Sequence, residues 1–181
     1  MTTTRMSRYD RRMLRLMNDG RGQAWYATAA RRRLAVAAHI TLTVAISGLM
    51  THFFLAKGEP LWPVAAMAVL LLPWMVATGV VNGATKGLLE LREHVLDERQ
   101  SAERSRVLAR AHRMTTLLLA ATAAALLITG GVDGNAPKAY AAPLLIAVLV
   151  VHWVMPLWVA GLRAQDEPAD DETLEAAALG R

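Results

Sequence analysis

The amino-acid sequence predicts an all-α integral membrane protein. It has four transmembrane helices in two hairpins, an N-terminal amphipathic helix, and a cytoplasmic helix leading into the third span. Three observations predict this. Four stretches carry no Asp, Glu, Lys or Arg: 34–56, 60–85, 114–132 and 139–162, of 23, 26, 19 and 24 residues. A helix needs about 20 predominantly apolar residues to cross a hydrocarbon core of roughly 30 Å, so all four are long enough. Apolar residues make up 54% of the chain, above the roughly 45–50% of soluble domains. Finally, these runs lack the polar residue every three or four positions that a soluble amphipathic bundle would show.

Residues 1–33 form a basic N-terminal segment. Within it, 5–18 (RMSRYDRRMLRLMN) reads as an amphipathic helix. At 100° per residue Met6, Tyr9, Met13, Leu16 and Met17 share one arc, and Arg8, Arg11, Arg12 and Arg15 lie opposite. That pattern suits a helix in the membrane interface with its arginines on anionic lipid headgroups. It suits equally a helix packed on the protein's own cytoplasmic segment. Asp19-Gly20 ends it, and Trp25, Tyr26 and Arg31–Arg33 mark the entry to the first span.

The membrane domain is expected over 34–162, with spans at about 34–56, 61–82, 114–131 and 140–162 and a cytoplasmic connection at 84–113. The first run, at 23 residues, exceeds the roughly 7–15 of a signal-peptide core, so a retained span is expected. In the second, Pro73 predicts a kink. Gly79 and Gly83, four apart, predict a close helix crossing. In the third, Ala120, Ala121, Ala124 and Ala125 predict another close-packing face. Tyr140 and Trp158 are expected to anchor the two ends of the fourth at the interfaces. Beyond it, 163–181 forms an acidic cytoplasmic tail, Asp166 to Glu175, expected to be disordered.

The connection contains LREHVLDERQSAERSRVLARAHR, residues 91–113, with ten charged side chains. Asp97 and Gln100 have capping-box spacing, so a helix is expected to start there and run on into the third span. Arg99 with Glu103, and Glu103 with Arg106, are at ladder spacing. LDERQSAERSRVLARAHRMTTLLL resembles a pattern in small bacterial, actinobacterial-like multi-pass membrane proteins. Those carry an Asp-Glu-Arg motif on the helix preceding a transmembrane span; the ending MPLWVAGLRAQDEPADD resembles the same group. The resemblance covers about 50 residues. It implies a multi-pass helical membrane protein and brings no catalytic residues with it. By position Asp97, Glu98 and Arg99 match the motif, with Ala109 or Ala111 as its alanine.

Charge sets the expected orientation. The nine Lys and Arg before the first span, seven in the connection and two in the tail total eighteen; the two other loops carry Lys57 and Lys138. Basic residues accumulate on the cytoplasmic side, so both termini and the connection are expected inside a bacterial inner membrane. This asymmetry accounts for the net charge of +5 without nucleic acid. The 17 Arg against 3 Lys point to a GC-rich bacterial genome.

No cysteine is present, which excludes disulfides, thiolate zinc sites and iron–sulfur clusters. Ionisable groups in the spans are histidines: His39, His52 and His152. A haem held by His39 and His152 is the cofactor alternative, although their depths match poorly. The plainer reading is neutral histidine hydrogen-bonded between helices, with Thr43 beside His39. His94 with Glu90 and Asp97, or His112 with Arg113, are the cytoplasmic clusters. Neither has metal-ligand spacing, and no phosphate loop or nucleophile elbow occurs. No cofactor, metal or catalysis is expected. The expectation is an accessory, structural or regulatory membrane subunit, its candidate partner surface Asp97, Glu98 and Arg99. The alternative is an oligomeric transporter of a small solute or ion.

Overall fold

The structure, a computed structural model, describes residues 7–17, 20–56, 61–132 and 136–164. Among these there is no strand. The helices are α1 (Arg8–Met17), α2 (Ala29–Leu55), α3 (Trp62–Ala84), α4 (Glu98–Val132) and α5 (Ala136–Arg163), with short 3-10 turns at Gly20–Trp25 and Glu93–Val95. Four of them, α2 to α5, contain segments long and apolar enough to cross a membrane. The acidic tail from Asp166 lies outside the described residues.

Local chemistry explains the ends. Thr28 is extended and its hydroxyl accepts from Arg31 N, so α2 starts five residues before its apolar run. Arg32 on that first turn is buried, and its guanidinium donates to Tyr26 O and Ala164 O. A cation thereby meets the carbonyl end of α5, where the helix dipole favours it. α3 carries Pro63 at its start and runs through Pro73. It ends in a left-handed turn at Lys86 and Gly87, with Gly87 N donating to Asn82 O. α4 begins at the expected capping box: Gln100 N donates to Asp97 Oδ1 at 2.6 Å and Asp97 N to Gln100 Oε1 at 3.2 Å. It then runs unbroken through the third apolar stretch.

α2 packs along α3, α4 along α5, and α2 along α5, whereas α3 and α4 do not pack along each other. α5 is therefore central. Its C-terminal third, Val154 to Gly161, is mostly buried, and the core gathers there with Val36, Val81, Val107 and Ala111. Lipid tails are as apolar as leucine, so close van der Waals fit and interhelical hydrogen bonds hold such a core more than burial does.

The close crossing is not where the glycines of α3 predict it. A Cβ on Gly79 would meet nothing within 4 Å, and one on Gly83 would meet the Tyr26 ring at 3.0 Å. Gly161 on α5 is the point of close approach, its would-be Cβ 2.7 Å from Val81 and 2.9 Å from Val36. Ala120, Ala121, Ala124 and Ala125 are all exposed among the described residues rather than buried in a helix crossing. Trp158 is buried rather than an interface anchor, because its indole N–H has a partner inside the bundle. Tyr140 is exposed, as an anchor requires.

Candidate functional site

Two polar constellations stand out. One lies among the spans and is centred on His39, which is fully buried. Trp158 Nε1 donates to its Nδ1 at 2.9 Å. Indole is a donor only, so Nδ1 carries a lone pair and the ring proton sits on Nε2. Nε2 then donates to Thr78 Oγ1 at 2.9 Å, and the Thr78 hydroxyl donates to Trp74 O. Trp74 Nε1 in turn donates to Thr43 Oγ1, which donates to His39 O. Thr43, the neighbour expected from spacing, thus stands beside His39, while its ring partners come from α3 and α5. His39 also stacks on Trp74 with ring centroids 4.7 Å apart.

This network ties α2, α3 and α5 together and uses both nitrogens of His39. Neither is open to a haem iron in this arrangement. His152 points elsewhere, its Nδ1 3.2 Å from Thr115 Oγ1 on α4. His52 packs against Trp62 at 5.3 Å. Among the described residues no group of three His, Asp or Glu could hold a metal ion.

The second constellation is the platform built by α1, the segment 85–97 and the start of α4. Ser7 and Asp10 form a reciprocal capping box: Ser7 N donates to Asp10 Oδ2 at 3.0 Å and Asp10 N to Ser7 Oγ at 3.1 Å. Asp10 is 2% exposed, and the same carboxylate meets His94 Nε2 at 3.2 Å and Arg92 Nε at 3.6 Å. The Arg92 guanidinium also lies over the Tyr9 ring, 5.1 Å from its centroid. Met17 sits on Gly87, whose left-handed backbone and lack of Cβ admit it. Arg104 donates to Leu91 O, and Glu103 pairs with Arg106 and with Arg163 of α5.

These contacts correct the reading of α1. Its inner face is Asp10, Met13, Leu14 and Met17, while Tyr9 and Leu16, placed on the apolar arc, are exposed. A charge partner on another segment overrides the apolar moment. Met6 lies outside the described residues. Arg8, Arg11, Arg12 and Arg15 are exposed, as expected. His94 joins Asp10 rather than Glu90 and Asp97, and Glu103 engages Arg106 and Arg163 rather than Arg99. Asp10 was missed in the sequence, although Ser7-x-x-Asp10 has the spacing of a helix cap and was the available signal.

The Ser7 side chain holds the Asp10 carboxyl below its ordinary range. Burial opposes this, while the Ser7 backbone, His94 and Arg92 add to it. Asp97, Glu98 and Arg99 are all exposed, Asp97 spent on the cap and the other two facing outward.

Fold and constellations define a four-helix, membrane-spanning class of chain with a braced polar platform. No family model, curated protein or solved structure matches it.

Proposed function

We propose that this chain is a non-catalytic accessory, structural or regulatory subunit of a bacterial inner membrane. Its spans form two hairpins, with both termini and the 84–113 connection in the cytoplasm. The observation that carries this reading is the platform. Glu98 and Arg99 project from a helix start braced by Asp97, by Arg104 on Leu91, and by Glu103 on Arg163. A braced, charged surface, with Glu98 and Arg99 exposed among the described residues, suits recognition of a protein partner, because little ordering entropy is lost on contact. The exposed arginines of α1 would meet anionic headgroups beside it. The resemblance to actinobacterial-like membrane proteins rests on the same three residues and belongs to this reading.

Charge reversal of Glu98→Arg with Arg99→Glu leaves the capping box intact. It should abolish crosslinking to the partner recovered with the parent chain, while helix content stays unchanged. An unaltered partner set would count against the motif. Reporter fusions at residues 20, 58, 98, 135 and 175 test orientation, and a periplasmic signal at 98 would overturn it.

A second reading, an oligomeric transporter of a small solute or ion, is favoured by the alanine face of α4, which is exposed among the described residues. Its test is oligomeric state in a bilayer together with solute flux into vesicles.

A further inference from the structure

Where α3 and α4 fail to pack, a cavity of about 260 Å³ opens against α5. Its walls are apolar at one end, with Trp74, Leu108 and Trp153, and polar at the other, with Asn82, Glu90 and Arg104. Trp153 is 74% exposed, so the apolar end opens sideways. From Trp74 to Asn82 is eight residues of α3, about 12 Å along the axis. Asn82 lies in the last turn of its span, so the polar end is level with lipid headgroups and the apolar end with acyl chains.

Three polar groups at the polar end of the cavity have unused capacity. Asn82 Oδ1 is buried and accepts no hydrogen bond from any described residue. Such an orphan is costly unless a donor reaches it. The Glu90 carboxylate has no ion pair among the described residues. Arg104 spends Nη1 on Leu91 O and has other N–H groups to give.

We propose that this cavity binds a phospholipid with a primary amine in its headgroup, of the phosphatidylethanolamine type. The ammonium pairs with Glu90 and, once the Asn82 amide turns toward the cavity that it lines, donates to Asn82 Oδ1. The phosphate pairs with Arg104, and the chains leave past Trp153 and Leu108. Either orientation of the Asn82 amide is served, since one headgroup brings both donor and acceptors. Phosphatidylcholine has no N–H for Asn82, and phosphatidylglycerol, whose phosphate still meets Arg104, brings no cation to Glu90. The volume, just below the roughly 300 Å³ where drug-sized pockets begin, suits a headgroup and not a whole lipid. This inference rests on the four helices lying in a bilayer and is independent of which side the termini face.

The test uses the full chain, delipidated in detergent and titrated with short-chain phosphatidylethanolamine, phosphatidylcholine and phosphatidylglycerol, with adducts read by native mass spectrometry. The amine lipid should bind about tenfold more tightly than either, the scale of one charge-assisted hydrogen bond. Asn82→Leu and Glu90→Gln should each erase the preference without changing the thermal midpoint. Glu90 is exposed on a turn, so its variant carries the test if Asn82→Leu fails to fold. Equal binding of the three lipids, tightest binding of phosphatidylglycerol, or a preference that survives Glu90→Gln overturns the proposal. The chain has no cysteine, so Leu108→Cys can carry a unique benzophenone label in vesicles containing the amine lipid. A photo-adduct of lipid mass supports the assignment. A crosslink to residues 165–181 or to a second copy would assign the cavity to that occupant instead.

Discussion

Asp10 does two jobs at one carboxylate: it caps α1 and receives Arg92 and His94 from a segment more than eighty residues away. Its folded pKa lies below the ordinary 3.8. The stabilisation it provides is therefore present above the ordinary value and lost as pH falls through the folded one. A spin label at Arg12, on the outer face of α1, should stay immobile near neutrality and become mobile only below about pH 4. Asp10→Asn should make it mobile at pH 7, and an equally immobile label in that variant would remove the carboxylate from its role. His39 makes the matching case within the spans. Trp158→Phe keeps an aromatic side chain but deletes the N–H that fills Nδ1, with the pyrrole part of the indole. Interhelical hydrogen bonds in membranes contribute about 0.6 kcal/mol on average and up to about 1.7. The hydrogen-bond part of the expected loss in detergent unfolding falls in that range, and the volume lost from a buried site adds to it. A variant as stable as the parent would mean that Thr43, 3.5 Å from the same nitrogen, takes over.

The four long helices were legible because hydrocarbon rejects charge, so charge-free runs of sufficient length leave few alternatives to a span. The α4 start was legible too, since a cap is local chemistry between Asp97 and Gln100. What could not be read is which face meets which neighbour. Inside lipid there is no polar side to mark the outer face, and small residues occur on every surface. Hence Gly79 drew the expectation of a crossing that Gly161 makes, and Trp158 passed for an anchor. The same holds for the platform: Asp10 and His94 meet only because α1 folds back, and no spacing encodes that. The glycine assignment has a direct test in thermal unfolding. Gly161→Ala forces a Cβ to within 2.9 Å of two valine methyls and should cost about 1–3 kcal/mol, as overpacking does. Gly79→Ala meets nothing and should be neutral or stabilising by about 0.5–1 kcal/mol, through the helix preference of alanine over glycine. If the two substitutions have equal effect, α5 does not cross α2 and α3 at Gly161.

At the scale of the molecule, two contacts set the register of α4 on α5: Glu103 with Arg163 and Thr115 with His152. The charged part of α4 therefore runs beside residues 153–163, the same stretch whose Trp158 reaches His39 and whose Gly161 meets Val36 and Val81. At that depth α2, α3 and α5 are still apolar, yet α4 carries Arg110 and Arg113, both exposed. An arginine near the membrane centre costs on the order of 2.5–3.5 kcal/mol on insertion scales, and less when its long side chain reaches the interface. These two sit within the first few turns, so they should draw headgroups and water down along α4 beside the cavity mouth. Ala109→Cys, one position before the pair, should then react with a membrane-impermeant maleimide supplied from the side on which Glu98 lies. Leu117→Cys, two turns deeper, should not. Replacing Arg110 and Arg113 by leucine extends the charge-free run from 114–132 to 107–132 and removes the reason for water to enter. The label at 109 should then be lost while that at Glu98→Cys persists. If Ala109→Cys is already unreactive in the parent chain, α4 sits deeper than its contacts with α5 allow, and the register is wrong.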